Sequence, residues 1–233
     1  MPNPYFKFKQ FTVWHDRCAM KVGTDGVLLG TCAHHPKPET ILDIGTGTGL
    51  VALILAQRFP QSIIEAIEID PEAAQQASEN IANSPFSSRI KVTNLPLQLF
   101  LPDTRYSLIV CNPPFFKVSS RSESASRNLA RQTESLNPEA IFAFAQNHLA
   151  HNGRLVIIFP ARDDLSTVAN HFGFFPAEKC LIKGHAEAEV KRVVWTFSQE
   201  TDETKITELV IENARNQYTP EFTALAKDFY LNL

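Results

Sequence analysis

The sequence is poor in the features that announce a membrane span, a metal site or a disulfide framework. Its longest uninterrupted apolar run, Leu50 to Ala56, is seven residues, against about 20 needed to span a bilayer as a helix. The four cysteines, Cys18, Cys32, Cys111 and Cys180, stand far apart with no C-x-x-C pair. That excludes the common zinc-ligand spacings and points to reduced thiols in a reducing compartment. The seven histidines are scattered without metal or triad spacing, so no metal is expected. Excess basic charge is missing too. With 22 Lys+Arg against 25 Asp+Glu the net charge is −3, so a polynucleotide partner has to be met by a local patch. Internal repeats and low-complexity stretches are absent. The first residues, Met1 to Lys9, carry no apolar leader, so a cytoplasmic location is expected and no membrane partner.

What is present suits one large globular unit. The chain has 233 residues, 44% of them apolar and 17 of them Phe, enough to bury a sizeable core. Short apolar runs alternate with helical patterns, the signature of an open α/β sheet. Strands are expected at Thr40–Gly45, Ser62–Ile69, Arg89–Thr93, Tyr106–Cys111 and Gly153–Phe159. Helices are expected over Leu50–Phe59, from Asp70 to about Asn83, and over Pro138–Ala150. Asp70-Pro71-Glu72 supplies an N-cap, an N1 proline and an early acid. Late strands at Lys179–Lys183 and Val190–Ser198 suit an antiparallel hairpin closing the sheet edge. Residues 1–35 read as an arm packing on the core, with a β-ribbon over Phe6–Trp14 and a short helix near Gly26–Ala33. Residues 36–233 form the main domain, ending in a strand at Ile206–Ile211 and a helix after Thr219-Pro220.

The strongest local signal is Asp43-Ile-Gly45-Thr-Gly47-Thr-Gly49, between the first core strand and its helix. Glycines there let the chain turn tightly and let a ligand approach the backbone. The dinucleotide fingerprint G-x-G-x-x-G/A needs a small residue where this chain has Leu50. An acid two residues before the first glycine suits instead a ligand with a cationic amino-acid end, S-adenosylmethionine. Glu68 ends the second strand, where an acid can accept both hydroxyls of a ribose; Asp70 is better explained as a helix cap. After the third strand, Asn94 (side chain) and Leu95 (backbone) would meet the adenine of the cofactor.

The second signal is Cys111-Asn112-Pro113-Pro114-Phe115, after the fourth strand. Two prolines remove two N–H donors and leave a bare carbonyl at Pro113. Asn112 adds a side-chain carbonyl and Phe115 a flat apolar face. Two acceptors and a ring make a site for a planar group bearing an NH2. Adenine, guanine and a glutamine amide all meet that description, and a non-catalytic binding module stays open as well.

Jointly these motifs resemble the class I S-adenosylmethionine-dependent methyltransferases of the N6-adenine type. Lys9-Gln-Phe-Thr-Val13, the run Met20-Lys-Val-Gly-Thr-Asp-Gly-Val-Leu-Leu-Gly30, and Tyr218-Thr-x-x-Phe-Thr-Ala-Leu-x-x-Asp-Phe-Tyr-Leu231 are similar to the tRNA1(Val) adenine-37 N6-methyltransferase family. The resemblance implies a doubly wound, mostly parallel seven-stranded sheet, with an N-terminal arm and a C-terminal helix. It implies that Asp43, Gly45, Gly47, Gly49 and Glu68 hold the cofactor and that the Lys21–Gly26 segment, with Lys21 and Thr24, covers its methionine end. Asn112, Pro113 and Phe115 would position the target adenine, unstacked from a tRNA anticodon loop. No obligate protein partner is implied. Candidates for gripping the RNA are the arm (Lys7, Lys9, Arg17, Lys21) and the loop after the motif (Lys117, Arg121, Arg127, Arg131).

Overall fold

The computed structural model describes residues 3–18, 20–114, 136–215 and 217–233. The chain opens with an antiparallel ribbon, β1 (Tyr5–Lys7) and β2 (Thr12–Trp14). Alternation decides its faces: Phe6, Phe8 and Val13 turn to the core, while Tyr5, Lys7 and Trp14 stay at the surface. After α1 (Thr24–Cys32) come β3 (Thr40–Ile44), α2 (Leu50–Arg58), β4 (Ile63–Glu68), α3 (Pro71–Ala82), β5 (Ile90–Asn94) and β6 (Tyr106–Cys111). The later elements are α4 (Pro138–His148), β7 (Leu149–Pro160), α5 (Ser166–His171), β8 (Phe175–His185), β9 (Arg192–Ser198), β10 (Lys205–Ala214), β11 (Gln217–Tyr218) and α6 (Pro220–Ala226).

One sheet runs in the order β11-β10-β8-β9-β7-β6-β3-β4-β5. From β5 to β7 every pairing is parallel. β9 then enters antiparallel between β7 and β8. The chain leaves β3 toward β4 and β5, then returns to β6 on the other side of β3. That reversal opens a crevice at the carboxyl ends of β3 and β6, where open α/β sheets bind ligands. Ile44 pairs with Cys111, so Gly45 and Asn112 are the next residues of the two neighbouring strands.

The sheet differs from the expected one at its far end. The β8–β9 hairpin is antiparallel as expected, but it does not close the edge. β10 pairs in parallel along the outside of β8, and β11 extends it, so among the described residues the sheet has nine strands and not seven. An uncovered β8 would expose a row of unpaired backbone groups. β10 covers them, and Lys183 Nζ reaches Glu208 across the pair at 2.9 Å.

Both faces of the sheet are covered, which is why the central strands read as continuous apolar runs. Along β3, Ile41 joins one core cluster and Leu42 and Ile44 the other; along β6, Leu108 and Val110 separate from Ile109 and Cys111 in the same way. The first cluster also holds α1, α2, Phe8, Phe11, Phe222 and Phe229. A Cβ at Gly30 of α1 would lie 2.8 Å from Ile54 Cγ2 of α2. Glycine there lets the two helices approach.

Candidate active site

After β3 the chain turns through Gly45, Gly47 and Gly49 at φ +70, +56 and +82, a left-handed region open to glycine and costly for other residues. A Cβ at Gly47 would meet nothing within 4 Å, so this face of the turn is open to a ligand. Asp43 lies beneath it, buried, and accepts a hydrogen bond from Thr46 Oγ1 at 2.6 Å. Burial, with the charge of Glu68 adding to it against the Thr46 hydrogen bond, pushes its carboxyl up to about 7.

Glu68, at the end of β4, is buried and already engaged. Its Oε2 accepts from the Gly47 N–H at 2.8 Å and its Oε1 from the Asp70 N–H at 3.0 Å. Each oxygen keeps a lone pair for a hydroxyl donor. The neighbouring Asp70 caps α3, accepting from the Ala73 N–H at 2.9 Å, as its place before Pro71 suggests.

Asn94 is partly committed within the fold. Its Nδ2 donates to the main-chain oxygens of Glu68 at 2.8 Å and Ile69 at 3.1 Å, so its amide hydrogens staple the end of β4 and only its Oδ1 is left for a ligand. Beside it Ile44, Ile67, Ile69, Leu95, Leu97 and Leu136 line an apolar crevice that reaches Gly45. A flat heterocycle suits such a slot. Of these six, sequence reasoning found Leu95 alone, because single apolar residues at strand ends look like ordinary core.

Across the switch point stands Asn112. Its Oδ1 is buried and has no hydrogen-bond partner among the described residues. Pro113 is buried and Pro114 exposed. Phe115, Lys117, Arg121, Arg127 and Arg131 lie outside the described residues. Lys21 and Thr24 are both exposed. Thr24 begins α1, whose first turn meets α2 where Gly26 faces Leu50, and Arg192 Nε of β9 holds Asp25 at 2.9 Å.

Two of the four arm cations are committed within the chain. Lys9 Nζ donates to the main-chain oxygens of Lys227 and Leu233, and Arg17 pairs with Glu79. Among the described residues no group of three or more His, Cys, Asp or Glu could hold a metal ion, and no helix is long and apolar enough to cross a membrane.

The methyltransferase small domain family matches residues 19–175. A tRNA1(Val) (adenine(37)-N6)-methyltransferase of Parabacteroides distasonis is 44% identical over 238 residues, covering 100% of both chains. Its counterpart from Flavobacterium psychrophilum is 44% identical over 98% of this chain and 100% of its own. This chain belongs to the tRNA1(Val) (adenine(37)-N6)-methyltransferase family. Solved structures agree on the fold: a predicted O-methyltransferase from Agrobacterium tumefaciens superposes with a TM-score of 0.67 at 19% identity, over 88% of this chain and 96% of that one. A putative RNA methyltransferase from Pyrococcus horikoshii gives 0.54 at 17% identity, over 77% and 82% of the two chains. In this member of the family the Gly-rich turn and Asn112 stand at the ends of two adjacent strands, β3 and β6.

Proposed function

We propose that this chain transfers a methyl group from S-adenosylmethionine to the exocyclic N6 of an adenine in tRNA, adenine 37 beside the anticodon of tRNA1(Val). The observation that carries the reading is the buried, unpartnered Oδ1 of Asn112 next to the Gly-rich turn. A buried polar atom without a partner costs about 1–3 kcal/mol, and an amine hydrogen removes that cost. The residues present also fit the cofactor. The open face at Gly47 admits its amino-acid end, Glu68 its ribose hydroxyls, and the apolar crevice beside Leu95 its adenine. When bound, S-adenosylmethionine supplies an electrophilic methyl on a positively charged sulfur.

The chain's own contribution is alignment and electrostatics. The exocyclic amine of adenine is a poor nucleophile, because its lone pair is delocalised into the ring. Asn112 Oδ1 and the Pro113 carbonyl accept its two hydrogens and draw the nitrogen toward a pyramidal shape. The same two dipoles stabilise the positive charge that develops there. Proline at positions 113 and 114 keeps competing N–H donors away from that edge. Phe115 supplies a ring on which the base stacks. An anticodon loop is single-stranded, so extruding one base from it costs less than from a duplex. We read the protein as a cytoplasmic enzyme that works without an obligate protein partner.

The test is a pair of variants assayed on tRNA lacking the modification. Asn112→Ala should lose on the order of 10²-fold or more in kcat. Asn112→Asp, which keeps an acceptor oxygen, should remain at least about tenfold more active than the alanine variant. Cofactor affinity should be nearly unchanged in both. Equal loss in the two folded, cofactor-binding variants would remove the acceptor role, and the adenine assignment with it.

A further inference from the structure

Two buried amides on α3, Gln76 and Asn80, are each 1% exposed and stand one helical turn apart on one stripe. The chemistry proposed above uses neither. Gln76 takes the arm at one level: Oε1 accepts from the Arg17 N–H at 3.1 Å, and Nε2 donates to Asp16 Oδ1 at 2.7 Å. Asn80 does more. The Trp14 N–H donates to its Oδ1 at 2.9 Å, while its Nδ2 donates to the Trp14 carbonyl at 2.8 Å and to the Thr48 carbonyl at 2.9 Å. One short side chain with an acceptor and two donors thus joins the end of β2, the last turn of α3 and the Gly-rich turn.

Thr48 sits between Gly47 and Gly49. A turn with three left-handed glycines has many conformations to lose on folding. It holds one shape only if its surroundings over-determine it. Two side chains from outside the turn pin its Gly47–Thr48 part. Glu68 accepts from the Gly47 N–H on one side, and Asn80 donates to the Thr48 carbonyl on the other. The second pin is itself fixed by the main chain of Trp14.

We propose that Asn80 is a positioning residue for the cofactor loop, holding the Gly47–Gly49 turn in its binding shape through the Thr48 carbonyl. The inference rests on that turn being the S-adenosylmethionine cradle. Direct calorimetric titration of S-adenosylmethionine into the full-length enzyme tests it. Asn80→Ala removes all three hydrogen bonds. Asn80→Asp keeps the acceptor for the Trp14 N–H and loses both donors. Both should bind the cofactor at least about tenfold more weakly, with kcat at saturating cofactor within about twofold of the wild type. In the cofactor-free protein, amides 45–50 should exchange with solvent faster in both variants.

A third variant, Ile182→Val in β8, trims the core away from the site. It should lower Tm without changing affinity. Cofactor affinity restored in Asn80→Asp, affinity within twofold of wild type in both Asn80 variants, or an equal loss in Ile182→Val would each overturn the proposal. Should neither Asn80 variant fold, Asn80→Gln shifts the same groups by one methylene and takes their place with the same expected loss. A wild-type protein that binds no S-adenosylmethionine would instead overturn the reading of the cradle.

Discussion

Asp43 and Glu68 are carboxylates at neighbouring strand ends, and their surroundings give them different properties. Asp43 is sealed under the turn, and burial holds its carboxyl at about 7 against an ordinary 3.8. The folded protein therefore keeps a proton that the unfolded chain releases. The stability this group contributes is fully present below about pH 4 and is lost as pH rises through about 7. Asp43→Asn should flatten that slope, which melting curves of the cofactor-free protein between pH 5 and 8 will read. Glu68 instead accepts from two backbone N–H groups. In Glu68→Gln one of those two hydrogens would face an amide NH2, so cofactor affinity should fall at least about tenfold by calorimetry. Much of this was legible residue by residue. The glycines, Glu68 and Asn112 stand in motifs whose chemistry is local, and Asp70 announces itself as a cap by the proline that follows. Asn94 was not legible in the same way. Its partners are the carbonyls of Glu68 and Ile69, brought to it by the pairing of β5 with β4.

At the level of elements, the contact between α1 and α2 is a tight constraint. Gly30→Ala would drive a methyl group to 2.8 Å from Ile54 Cγ2 and 2.9 Å from Ile54 Cβ. Overpacking of this kind costs about 1–3 kcal/mol, which should appear as a lowered Tm in a thermal melt. The helices with side-chain caps were readable: α3 after Asp70, α4 after Asn137 and α6 after Thr219 all carry a capping residue followed by proline. α5 carries no side-chain cap on Leu165 and spans less than two turns; Asp164, which accepts from the Ser166 N–H at 2.7 Å, is a weak signal for so short a helix. β7 starts at Leu149, several residues before the expected Gly153. The run His151-Asn152-Gly153 looks like a turn, and Asn152 does take φ +63. Pairing with β6 nevertheless continues past this irregularity, from Tyr106–Leu149 to Leu108–Arg154.

Across the whole molecule, strand identity was easier to read than strand neighbours. The segment Ile206–Ile211 reads as a strand, but its place outside β8 depends on which edge is left open once β9 has paired, and that is set by the complete sheet. Charge follows the same logic. A chain with net charge −3 has to hold RNA locally, and Lys9 and Arg17 are occupied within the fold. That shifts the expectation to the loop after the Asn112 motif. Replacing Arg127 and Arg131 together by Ala should raise KM for tRNA and reduce the salt dependence of binding, while cofactor affinity stays intact. An unchanged salt slope in a filter-binding series would remove that loop from the RNA interface.

The unpartnered oxygen of Asn112 also bears on when the reaction stops. In the acceptor site proposed above, an unmodified amine brings two hydrogens to Asn112 and Pro113 and the methylated amine brings one. The product therefore leaves one acceptor unsatisfied or must turn its methyl toward a polar atom. Either arrangement is bound less well than the substrate. On that reading release is favoured as soon as one methyl has been added, and nucleoside mass spectrometry of the reacted tRNA should show monomethylated and no dimethylated adenine.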